Sequence, residues 1–174
     1  VLKSTCDKIM SKLAPEHKKV FCFSGGEPTL HPDIVELVKH IHESGHIVLM
    51  TTNGSMKNEK WKEVAKYIHI LQMSAHFEFL NHERFLKNFE TYLELSKERK
   101  WGSVDVKLMT PPGGLEVSKG LNEKVKNLME SPEFAGIRSF SHIKCSFVPL
   151  RGIDDSEQIL EYSEEELEFF GNQS

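Results

Sequence analysis

Residues 21–32 read FCFSGGEPTLHP, an apolar stretch that runs into Gly25, Gly26, Glu27 and Pro28. Val20 to Phe23 are apolar without interruption, the pattern of a strand buried on both faces. Two glycines then leave the backbone bare, so its N–H and C=O groups are open to a ligand at close range. The carboxylate beside them accepts from an ammonium or hydroxyl, and Pro28 stiffens the exit. A zwitterionic, amino-acid-like ligand suits this better than a phosphate, which Glu27 repels. Taken alone, the four residues also read as a tight strand-to-helix turn with a solvated glutamate.

Outward from that stretch, strand and helix alternate. Leu2, Cys6, Ile9, Met10 and Leu13 recur at helical spacing, a helix already under way where the chain begins at Val1. Ile34, Leu37, Val38 and Ile41 share one face of a helix that Gly45 ends. HIVLMTTNG is a second buried strand, NEKWKEVAKY a short helix and IHILQMSAHF a third strand. A long helix over 82–99 turns Phe85, Leu86, Phe89, Tyr92 and Leu93 inward. SVDVKLMT, a helix through Leu121, Val125 and Leu128, and HIKCSFVPL complete the series. The expected strands are 18–24, 46–51, 69–75, 103–109 and 142–148. Parallel pairing in sequential order, with helices outside, gives an α/β sheet or open barrel. The acidic stretch 153–174 reads as a short helix that docks Leu167, Phe169 and Phe170, or as a solvated tail; residues 1–152 form the core.

In such folds ligands bind at the carboxyl ends of the strands. Those ends carry Ser24 to Pro28, Thr51 to Gly54, Ser74 to His76, Thr110-Pro111 and Pro149 to Arg151. SGGEPTLHPD, TTNG and MSAH, in this order, resemble the core of the radical S-adenosylmethionine (SAM) enzymes over residues 18–110, and more loosely to Arg151. The resemblance implies a partial parallel β/α barrel that holds SAM against a 4Fe–4S cluster. It further implies that a 5′-deoxyadenosyl radical abstracts hydrogen from a substrate, with an electron donor as partner. Gly25, Gly26 and Glu27 would then hold the methionine end of SAM, with Pro28 shaping the turn. Asn53 would line the cavity, and Ser74 would meet the SAM carboxylate or ribose. His76 stands where many members carry an acidic residue.

The family ligates its cluster through Cys-x3-Cys-x2-Cys, and no such spacing exists here. Cys6, Cys22 and Cys145 read as core thiols. The expectation is a chain lacking the family's first strand and cluster loop, by truncation or degeneration, with an open edge beside strand 18–24. A neighbouring copy of the chain or the acidic tail is expected to cover that edge. His40 and His42 point about 200° apart on a helix and read as surface histidines rather than metal ligands. Lys107 either pairs with a ligand carboxylate or Glu27, or snorkels at the strand edge. Arg151 meets a substrate anion or lies on the surface.

The formal charge of −4 across 174 residues gives no nucleic-acid or anionic-membrane signal. Scattered, odd-numbered cysteines argue against a secreted disulfide framework and make a cytoplasmic setting the default. The substrate is open: small molecule, peptide or macromolecule. Two other classes compete with the radical SAM reading, namely a cluster-free β/α-barrel lyase or aldolase and a non-catalytic binding domain.

Overall fold

Apolar runs of strand length separated by amphipathic helices leave parallel pairing as the economical arrangement. The computed structural model describes residues 2–12, 17–99, 102–134, 140–150 and 161–172. Its strands are β1 (Val20–Phe23), β2 (Ile47–Thr52), β3 (Ile70–His76), β4 (Gly102–Thr110) and β5 (Phe140–Pro149). They form one sheet in the order β1-β2-β3-β4-β5, and every neighbouring pair is parallel. The helices are α1 (Leu2–Ser11), α2 (Ile34–Glu43), α3 (Asn58–Ala65), α4 (His82–Ser96), α5 (Leu115–Glu130) and α6 (Glu164–Gly171).

Right-handed crossovers between strands whose order never reverses place successive helices on one face of the sheet. Accordingly α2 packs on α3, α3 on α4 and α4 on α5. Val48, Met50, Leu71, Met73, Val106 and Leu108 point into that layer and are fully buried, with Ile41, Trp61, Phe85 and Phe89 against them. Burial alternates strictly along β2, β3 and β4.

The expectation of strands buried on both faces is therefore corrected. Val20 is 54% exposed and Cys22 is exposed, because no helix covers the second face of the sheet among the described residues. Cys22 is not a core thiol. Cys145 is half-buried, and desolvation pushes its thiol up to about 11. Cys6 is buried, and burial, with Asp7 second, raises its thiol too.

The acidic end forms α6, which docks beside β5 rather than covering β1. Phe169 meets Phe147 edge-on at 4.9 Å, and Phe170 meets Tyr162 at 5.5 Å. Leu167 stays exposed, and the buried residue of this helix is Glu166. Its carboxylate accepts from Ser163 N–H at 3.0 Å in a capping box and from Gly113 N–H at 2.8 Å, just before α5 begins. These bonds, Ser163 N–H foremost, hold the carboxyl below its ordinary range.

At the opposite end of the sheet, His69 stacks on His42 at 4.8 Å and accepts at Nδ1 from Val48 N–H at 3.1 Å. Burial first, then His42, Arg99 and Lys18, lowers its pKa to about 4. A histidine depressed from 6.5 to about 4 stabilises the fold fully above pH 6.5, and that stability is lost as pH falls toward 4. Because the ring is only half-buried, the expected loss is about 1–2 kcal/mol after allowing for solvent screening. Urea midpoints at pH 7.5 and 4.5 check this. His69→Gln, which keeps an acceptor but cannot titrate, should flatten the dependence over that window.

Candidate functional site

Gly25 (φ 85°) and Gly26 (φ 52°) both adopt the left-handed conformation that glycine enters at little cost. A Cβ built on either meets no atom within 4 Å, so their backbone faces open space. The order Gly-Gly-Glu-Pro now has a local cause. Pro28 opens a single 3-10 turn, Pro28–Leu30, where its missing N–H costs nothing, and Glu27 is the N-cap.

The Glu27 carboxylate does more than cap. Its Oε1 accepts from Thr29 N–H at 3.1 Å, from the Thr29 hydroxyl at 2.6 Å and from the Thr52 hydroxyl at 2.8 Å. Its Oε2 accepts from Asn53 N–H at 2.6 Å. One side chain thus ties the loop after β1 to the end of β2. Oε1 is saturated; Oε2 has room for one further donor. The Asn53 side chain is occupied at Oδ1 by Ser55 N–H at 2.9 Å.

The same β2 loop is held from behind by Asn88 on α4, which is fully buried. Its amide donates to Gly54 O at 3.0 Å and Met56 O at 2.8 Å, and its Oδ1 accepts from the Asn58 amide at 2.9 Å. The backbone carbonyl of Asn88 accepts from the Trp61 indole at 2.7 Å. Sequence reading placed Thr52 at the strand end without giving it a role, and missed Thr29 and Asn88. Asn88 carried a signal: it lies one turn after Phe85 and next to Phe89, a polar residue within an apolar stripe.

Ser74 is half-buried on the open face of β3, in register with Lys107 on β4. His76 ends β3 and is exposed. It shares a cleft of about 190 Å³ with Asn53, Glu78, Phe79 and Arg84. Lys107 finds Asp105 rather than Glu27, with Nζ 4.0 Å from Oδ2. Arg151 lies outside the described residues. Beside the open edge, a groove of about 340 Å³ lined by Cys6, Phe21, Cys22 and Ile34 leads to Ser24 and Gly25.

The three cysteines occupy α1, β1 and β5, and among the described residues no three of His, Cys, Asp and Glu are grouped to hold a metal ion. These residues do not fit a 4Fe–4S cluster. The glycine loop, with open space where side chains would stand and a carboxylate at its shoulder, does fit the amino-acid end of SAM.

No curated protein matches the chain. Among solved structures it is similar to the crystal structure of an archaeal TYW1, at 19% identity and a TM-score of 0.40, over 71% of this chain and 48% of that one. The chain thus spans about half the length of that structure. The profile of the Radical SAM superfamily matches residues 3–108, which takes in β1 to β3, the glycine loop and most of β4. With that match over more than half of its 174 residues, the chain belongs to the radical SAM superfamily.

Proposed function

We propose that this chain is the SAM-holding portion of a radical SAM enzyme. The observation that carries the reading is the open glycine loop at the carboxyl end of an edge strand, clamped by Glu27 to the next strand end. Bound SAM, on receiving one electron from a reductant these residues do not supply, would provide the family's hydrogen-abstracting radical chemistry. The work of this chain's own residues is placement. The Gly25 and Gly26 peptide groups orient the methionine end, and the free lone pair on Glu27 Oε2 accepts from its ammonium. Asn53 and Ser74 line the way toward the ribose, and His76 closes the rim beside the cleft. No step is assigned through an iron–sulfur cluster, because the described cysteines do not form its ligand set.

Calorimetric titration tests the reading with two ligands. SAM is expected to bind, and 5′-methylthioadenosine, which lacks the amino-acid end, is expected to bind at least about tenfold more weakly. The difference corresponds to one charge-assisted hydrogen bond from the ammonium, worth roughly 1.5–3 kcal/mol. Equal affinities would remove the methionine end from the glycine loop. No binding of SAM at all would leave the lyase or binding-domain readings in its place.

A further inference from the structure

The open face of the sheet is divided by chemistry. On β1 and β2 it carries Val20, Cys22, Ile47 and Leu49; on β4 and β5 it carries Asp105, Lys107, Lys144 and Ser146. No helix covers this face among the described residues, so packing neither requires nor forbids charges here. The register sets them in rows. Ser74, Lys107 and Ser146 are aligned across three strands, and Gln72, Asp105 and Lys144 lie one row deeper. Lys107 Nζ is drawn toward Asp105 Oδ2, while Asp105 Oδ1, shielded from solvent, has no hydrogen-bond partner among the described residues. Two ammonium groups against one carboxylate leave a local positive charge in a chain whose net charge is −4.

We propose that Lys107 and Lys144, with the hydroxyl of Ser146 beside them, bind an oxyanion of the substrate, a carboxylate or a phosphate group. Asp105 then accepts from a hydroxyl or amine neighbouring that oxyanion, which satisfies its buried oxygen. This rests on the SAM reading for its place in the reaction, since it names the substrate's side of the same barrel. It is separate from the SAM loop in space. Three strand spacings of roughly 4.8 Å put β4 about 14 Å along the sheet from β1. The ammonium and carboxylate of one amino acid do not span that interval. A methionine end held at Gly25 and Gly26 therefore keeps the SAM carboxylate away from Lys107, which lies beside Ser74, and leaves that ammonium for an oxyanion of another molecule.

Inorganic phosphate and succinate, titrated separately and followed by amide chemical shifts on β4 and β5, test the site. Saturable shifts with either one support it, and the ligand that saturates first identifies the oxyanion. Lys107→Gln and Lys144→Gln should each weaken that binding about tenfold, while Lys126→Gln on α5 leaves it unchanged. SAM affinity should stay constant in all three, with thermal melts as a folding control. Absence of saturable shifts, or wild-type binding in both lysine variants, overturns the proposal. So does a Lys107→Gln protein that loses SAM affinity and keeps oxyanion binding. If SAM fails to bind while the oxyanion response persists, the SAM reading falls and the oxyanion site stands.

Discussion

Gly26→Val is expected to lower SAM affinity by at least about a hundredfold while leaving the fold standing. The cost to folding is limited to the backbone. At φ 52° a branched side chain is strained by about 1–2 kcal/mol, within the roughly 5–15 kcal/mol that domains typically have. No clash at Cβ adds to it, since a Cβ there meets nothing within 4 Å. The same open space is what the ligand needs. An isopropyl group would occupy it and block the peptide groups that meet the methionine end. Glu27→Ala provides the contrast. It removes the acceptor for Thr29 N–H, Asn53 N–H and two threonine hydroxyls, so affinity and stability should fall together. Calorimetry beside a thermal melt reads both quantities. Were the loop only a turn, both variants would bind SAM as the wild type does, and Gly26→Val would act through stability alone.

Asn88→Ala is expected to cost roughly 3–5 kcal/mol of stability, more than a surface asparagine could. The amide is fully buried and makes three bonds, two of them to the backbone carbonyls of Gly54 and Met56, residues that are themselves buried. Each carbonyl stranded in that way costs about 1–3 kcal/mol. The consequence reaches the site, because Gly54 and Met56 belong to the loop whose first residue, Asn53, is clamped by Glu27. Urea denaturation measures the loss, and the truncated protein should also bind SAM more weakly at temperatures where it is folded. Asn88→Asp separates the roles. It keeps the acceptor for Asn58 but presents oxygen to both carbonyls, so it should be nearly as destabilising as alanine. A silent Asn88→Ala would mean that water reaches Gly54 and Met56 after all.

Much of the fold was legible because its signals are local. The five expected strands fall within two residues of those observed, since each is a short run rich in apolar and β-branched residues bounded by turn residues or a helix. The glycine pair announced itself as bare backbone, and its left-handed dihedrals agree. Resemblance supplied the family, which the profile match over residues 3–108 shows.

What each face of the sheet touches was settled only by tertiary structure. VFCF and HIVLM read as strands buried twice over, yet Cys22 and Leu49 lie on a face that no helix covers among the described residues. An apolar run records hydrophobicity along the chain, whereas coverage follows from strand order and crossover hand, which are properties of the whole sheet. Glu27 shows the same limit on the scale of one side chain. Its neighbours in sequence explain the turn, but Thr52 and Asn53 reach it from 25 and 26 residues away. That pairing arises because β1 and β2 lie side by side and end together. In sequence, Lys107 read as pairing with a ligand carboxylate or Glu27, or as snorkelling at the strand edge. The two-residue period of a strand chose Asp105, because residues two apart share a face.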